Sequence, residues 1–111
     1  MYEIKKSFEI SAAHFLKLDY ESKCANLHGH NWIITVYLRA KELNANGMIM
    51  DFTDIKKKIT DKLDHKILND VILLNPTAEN LAKYICDVLS PHCYRADVVE
   101  SENNTASFWR E

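Results

Sequence analysis

Glycine is nearly absent from this 111-residue chain, with only Gly29 and Gly47. Each is therefore expected to serve a local purpose, Gly29 between two histidines and Gly47 in a turn. Cysteine is limited to Cys24, Cys86 and Cys93. An odd count at no disulfide-framework spacing agrees with a reducing compartment. No apolar run approaches the roughly 20 residues that span a bilayer. The opening stretch MYEIKKSFEI alternates polar and apolar residues and lacks the apolar core of a signal peptide, so the expected location is cytoplasmic. Charge of one sign is lacking too: 14 Lys and Arg against 16 Asp and Glu leave a net charge of −2. That balance calls for neither nucleic acid nor an anionic membrane as partner. An anionic substrate would need locally placed lysines or arginines. Internal repeats and low-complexity segments are also missing.

What remains is an ordinary globular mixture, 47% hydrophobic and 27% charged. The length fits one domain over residues 1–111. Tyr2, Ile4, Phe8 and Ile10 alternate with Glu3, Lys5, Ser7 and Glu9, which predicts a half-buried strand over 2–10 with Lys6 as its exception. Ser11, Ala12 and Ala13 are expected to end it just before His14, and 15–27 reads as a loop. A second strand is predicted from Trp32 to Ala40, apolar on both faces and so expected to be covered on both. Asp51 should cap a helix carrying Phe52, Ile55, Ile59 and Leu63 inward and four lysines outward. Residues 64–75 read as a connection. Thr77 should cap a second helix striped by Leu81, Ile85, Val88 and Leu89, which Ser90–Pro91 stops. Two closing strands are predicted over 94–101 and 105–110. The sum is an α+β fold: a four-stranded antiparallel sheet with two helices inserted between strands 2 and 3. Its two exposed edges point to an oligomer in which edges join.

The run Cys24-Ala-Asn-Leu-His28-Gly-His30 carries the strongest chemical signal. Residues i and i+2 of a strand share a face, so His28 and His30 can present their imidazoles together. Gly29 between them would leave room for a metal or its ligand. His14 follows the neighbouring strand and supplies a third nitrogen. Three neutral imidazoles with an open fourth position are a catalytic zinc set, although imidazole suits other transition metals as well. Cys24 as a fourth ligand would instead close the site and make it structural.

These residues, preceded by Ser11-Ala-Ala-His14, resemble the 6-pyruvoyl tetrahydropterin synthase family, and within it the bacterial branch that makes 6-carboxytetrahydropterin for queuosine and other deazapurines. The resemblance extends through Gly47-Met-Ile-Met-Asp51-Phe52, Leu63-Asp64-His65-Lys-Ile-Leu-Asn69, Asn75-Pro76-Thr77-Ala-Glu79-Asn80 and Val98-Val99-Glu100-Ser101. It implies the tunnelling fold (T-fold), in which trimers pair into a homohexamer and the sheets join into a barrel. It implies that His14, His28 and His30 bind zinc. Cys24 would act as general base, with Asp64–His65 as its proton-relay partner. Glu100 would anchor the pterin ring, with Thr77 and Glu79 lining that pocket. The implied substrate is 7,8-dihydroneopterin triphosphate. The spacer of three residues between Cys24 and His28 matches the 6-carboxy branch, and animal-type enzymes have a longer one. A further branch carries a glutamate at the position held here by Ala25. The family often has Glu-Thr at the anchor where this chain has Glu100-Ser101, and serine keeps the hydroxyl.

Each role has a physical basis and a rival. A nearby cation or metal makes a thiol a better base. Asp64 can fix the tautomer of His65, but a histidine at a helix end also suits the dipole without chemistry. Glu100 alternates with Val98 and Ala96, so it faces the apolar side of its strand and needs a partner. The guanidine-like edge of a pterin offers two donors to a carboxylate, and a buried ion pair would serve equally. Glu102 is the rival anchor, and Glu79 could simply be a first-turn acid. Cys86 reads as core, Cys93 as a strand start, and His92-Cys93 as a weak metal pair.

Overall fold

A computed structural model describes residues 1–110. β1 (Tyr2–His14) and β2 (His28–Ala40) are each 13 residues long and pair antiparallel over their whole length, from Tyr2 opposite Ala40 to His14 opposite His28. Both strands are longer than expected. Ser11, Ala12 and Ala13 continue β1, so His14 is its last residue, and β2 opens at His28 rather than Trp32. The histidines thus stand on ordered backbone.

Helix α1 (Phe52–Leu63) begins where the Asp51 carboxylate accepts the Thr53 N–H at 2.8 Å. Ile55, Ile59 and Leu63 recur every four residues and are fully buried, whereas Phe52, expected in the same stripe, is half exposed. Helix α2 (Ala78–Val88) begins at Thr77, whose hydroxyl accepts the Asn80 N–H at 3.1 Å. It buries Leu81, Ala82, Ile85 and Cys86. Both helices cover one face of the sheet. There Phe8, Ile10, Trp32, Ile34, Val36, Leu38, Ala96 and Val98 form the core.

The sheet has five strands in the order β3-β1-β2-β4-β5, with β4 at Cys93–Ser101 and β5 at Asn104–Trp109. The expected four-stranded antiparallel sheet is corrected by β3 (Lys66–Ile67), two residues that pair parallel with Ala12 and Ala13. The end of α1 places it there. Asp64 accepts the Ser11 N–H at 2.9 Å, and His65 donates its own N–H to the Ser11 carbonyl at 2.6 Å. A second irregularity lies between β4 and β5. Val99 faces Thr105 and Ser101 faces Asn104, so Glu100 is an extra residue in a β-bulge.

The face of the sheet away from the helices is open in the single chain. Ile33 there is 48% exposed, so the expected cover over the second face of β2 is not supplied by this chain. Asp97 gathers Tyr37, Arg95 and Ser107 on that face through side-chain hydrogen bonds. Among the described residues, the edge of β1 away from β2, apart from Ala12–Ala13, and the outer side of β5 have no strand partner. Gly47 turns the chain before α1 at φ 80, where a glycine carries no Cβ penalty.

A three-histidine candidate metal centre

The β1–β2 register brings His14 directly opposite His28, and His30 lies two residues along the same face. The three ring centroids lie 4.5, 4.9 and 5.3 Å apart. One ring nitrogen from each falls within 4.8 Å of the others. His14 is fully buried, and His28 and His30 are half-buried.

Backbone carbonyls set the tautomers of two rings. Nδ1 of His14 lies 2.7 Å from the Pro76 carbonyl, and Nδ1 of His28 lies 2.7 Å from the Asn26 carbonyl. A carbonyl only accepts, so each Nδ1 carries the hydrogen and each Nε2 keeps its lone pair. Nε2 of His14 and Nε2 of His30 are buried without a hydrogen-bond partner. Orphaned buried acceptors are costly, and a cation among them removes that cost. Burial is the main influence that pulls His14 below the ordinary histidine range, ahead of the opposing pull of the Pro76 carbonyl. It therefore stays neutral and able to ligate. The donor set fits a divalent transition metal bound by three imidazoles.

Trp32 holds this arrangement from below. Its ring stands nearly perpendicular to those of His14 and His30, at 5.0 and 5.2 Å between centroids. Its indole N–H donates to the Ala12 carbonyl at 3.1 Å. The alternation 28, 30, 32 is the sequence signal for this role, beyond the strand start expected at Trp32. Two asparagines pin the segment after His14: Asn69 bonds both the N–H and the carbonyl of Phe15, and Asn75 does the same for Lys17. Pro76 owes its place against His14 to that clamp.

Cys24 lies outside the ligand set, which comprises the three histidines alone. It sits half-buried in a one-turn 3₁₀ helix, Lys23–Ala25, where the Ser22 hydroxyl accepts its N–H at 3.1 Å. Its carbonyl accepts the Leu16 N–H at 2.9 Å, which ties this turn to the segment after β1. A cavity of about 480 Å³ gathers Lys23, Cys24, His28, His30 and Glu100. The Glu100 carboxylate reaches 3.9 Å from Nε2 of His14 and 3.8 Å from Nε2 of His30. The bulge in β4 aims it there. A second cavity of about 560 Å³ brings Thr77 and Glu79 together with Glu100, which lines both. Thr77 caps its helix and Glu79 is the acid of the first turn as well, so the structural and pocket readings coexist. The rival Glu102 is exposed in the β4–β5 turn.

Asp64 and His65 stand elsewhere. Their side chains approach to 3.2 Å, and the Ser11 N–H holds the Asp64 carboxyl below the usual carboxylate range. His65 occupies left-handed backbone at φ 59, a costly conformation for a residue with a Cβ, and its side chain is 81% exposed. It lines a third cavity, of about 450 Å³, with Ser11, Gly29, His30 and Lys66, and Cys24 is not part of that lining. Thiol and dyad thus open into different cavities of one chain, with His30 between them. A Cβ at Gly29 would meet only the Ala12 carbonyl, at 3.9 Å, so the chain itself does not demand a glycine there. Cys86 and Cys93 are buried in the core, and burial, with Cys86 beside it, pushes the Cys93 thiol up to about 12. Neither belongs to a metal cluster among the described residues.

Comparison with known proteins gives one consistent result. The 6-pyruvoyl tetrahydropterin synthase family model matches residues 3–111. A 6-pyruvoyl tetrahydrobiopterin synthase from Dictyostelium discoideum is 40% identical over 94 residues, covering 74% of this chain and 70% of that protein. The 6-carboxy-5,6,7,8-tetrahydropterin synthase from Bacillus subtilis is 32% identical over 93 residues, and the chain spans 64% of its length. The structure of the Caenorhabditis elegans 6-pyruvoyl tetrahydropterin synthase superposes with a TM-score of 0.76 at 26% identity, covering 99% of this chain and 96% of that one. By sequence and by its T-fold architecture, the chain belongs to the 6-pyruvoyl tetrahydropterin synthase family.

Proposed function

We propose that this chain is a zinc-dependent 6-carboxy-5,6,7,8-tetrahydropterin synthase acting in the cytoplasm on the route to queuosine. The observation that carries this reading is that His28 and His30 of the three-histidine set line one cavity together with Cys24 and Glu100. The three-residue spacer between Cys24 and His28 supports the 6-carboxy branch.

The substrate would be 7,8-dihydroneopterin triphosphate. Substrate plus one water balances 6-carboxytetrahydropterin, acetaldehyde and triphosphate, so the reaction needs proton transfers and no external oxidant. Glu100 would accept the two donors of the pterin edge and fix the ring. Thr77 and Glu79 line the adjoining space in which the ring would lie. His14, His28 and His30 would hold the zinc, which when bound would supply Lewis acidity toward the hydroxyls of the substrate side chain. Cys24 takes the proton from the side-chain carbon beside the ring, and the Asp64–His65 pair carries protons as its relay. Because Cys24 lies outside the histidine set, that site keeps an open coordination position, which a purely structural zinc module would not.

The second reading is a 6-pyruvoyl tetrahydropterin synthase, which loses triphosphate from the same substrate without cleaving a carbon–carbon bond. The 40% identity to a protein of that name favours it. Mass spectrometry of the products formed from 7,8-dihydroneopterin triphosphate separates the two. Acetaldehyde with 6-carboxytetrahydropterin is expected. A 6-pyruvoyl product without acetaldehyde would overturn the first reading, and unchanged substrate would overturn both.

A further inference from the structure

Among the described residues, the cavity that holds Cys24, His28, His30 and Glu100 is lined by one lysine, Lys23, and no arginine. A triphosphate ester carries several negative charges, and the chain as a whole is slightly acidic, at −2. Bulk attraction is therefore unavailable, and any charge recognition must be local. Lys23 is also positioned. It opens the one-turn 3₁₀ helix, its carbonyl accepts the Asn26 N–H at 3.0 Å, and the Ser22 and Leu16 contacts hold the next residue, Cys24. Charge and placement coincide in the residue beside the thiol.

The remaining polar groups set a direction. Glu100 lines this cavity and also that of Thr77 and Glu79. A carboxylate repels phosphate and accepts N–H donors, so the neutral pterin edge belongs at that end. Lys23 does not line that second cavity and instead lines an outer hollow with Tyr20, Glu21, Ser22 and Asn26. A substrate threaded this way passes its short carbon chain across the histidine set and leaves its phosphates at the mouth. Lys66, near the site on the opposite side of His30, lines the His65 cavity instead.

We infer that Lys23 is a cation that contacts the triphosphate of the substrate, and so orients it with the pterin ring toward Glu100. The inference rests on the proposed substrate but not on which product forms, since both readings begin from the same triphosphate. Lys23 is exposed, so its contribution should be screened by salt.

Binding to the zinc-loaded protein is measured for two probes, 7,8-dihydroneopterin triphosphate and 7,8-dihydroneopterin without phosphates. Lys23→Gln should weaken the triphosphate about tenfold at low salt and change the phosphate-free pterin less than about twofold. Lys23→Arg should restore most of the difference. Raising the salt should shrink the gap between wild type and Lys23→Gln. Lys56→Gln, on the exposed side of α1, controls for net charge and should leave both probes unchanged. Equal triphosphate binding by wild type and Lys23→Gln would overturn the inference while leaving the proposed substrate intact. So would equal weakening of both probes, which would make Lys23 a packing residue. Wild-type protein that binds neither probe would remove the substrate assignment, and this inference with it.

Discussion

At the scale of single residues, the clustering of His14, His28 and His30 was readable because their spacing encodes geometry. An i, i+2 histidine pair at the start of a strand allows few arrangements other than two imidazoles on one face. What positions those imidazoles was not readable. The Pro76 and Asn26 carbonyls and the Trp32 ring act through space, and carbonyls have no signature in a sequence. Glu100 illustrates both sides. Alternation with Val98 and Ala96 placed it on the apolar side, but the bulge that aims it between His14 and His30 depends on β5 register. Under the proposed function, Glu100→Gln should weaken pterin binding about ten- to a hundredfold, the usual range for losing a charged hydrogen-bonding partner. Titration with a pterin ligand checks this. Strong loss in Glu102→Gln with none in Glu100→Gln would assign the anchor to the turn.

At the scale of elements, both helices were legible from caps and four-residue spacing, because those signals are local. Strand ends were not. Ser11, Ala12 and Ala13 have small side chains and read as a break, but their backbone pairs with β2 on one side and β3 on the other. β3 has only two residues and no period, and it exists because the end of α1 docks on Ser11. Thr77 tests the cap directly. Thr77→Ala should cost about 1 kcal/mol in urea unfolding, and Thr77→Ser should cost little. An unchanged midpoint for Thr77→Ala would show that its hydroxyl contributes nothing to α2. The core stripe predicts a larger effect: Ile59→Ala, at a fully buried position, should cost about 2–5 kcal/mol. A cost below 1 kcal/mol would mean that α1 packs less tightly than described.

At the scale of the whole molecule, the open side of β1, the outer side of β5 and the exposed Ile33 face show surfaces that one chain leaves unpaired. We infer that they meet other copies of this chain in a homohexamer of paired trimers. Within one chain the thiol and the Asp64–His65 pair open into different cavities, so a relay between them would draw on two subunits. Cys24→Ala and His65→Ala proteins should each be nearly inactive. Unfolded together and reassembled, they should recover roughly a quarter of wild-type activity, since about one interface in four then pairs an intact thiol with an intact dyad. Verified mixed oligomers without activity would place both groups in one chain. Periodicity points to open edges, and so to an oligomer, but it does not report which surface of another copy covers them.

The central claim is that three histidines hold the metal and the thiol beside them does chemistry. Metal content measured alongside turnover in Cys24→Ala tests it most directly. The account predicts about one zinc per chain, as in wild type, with turnover lost. Zinc lost together with activity would make Cys24 a ligand of a closed site, and full turnover with zinc retained would remove it from the chemistry.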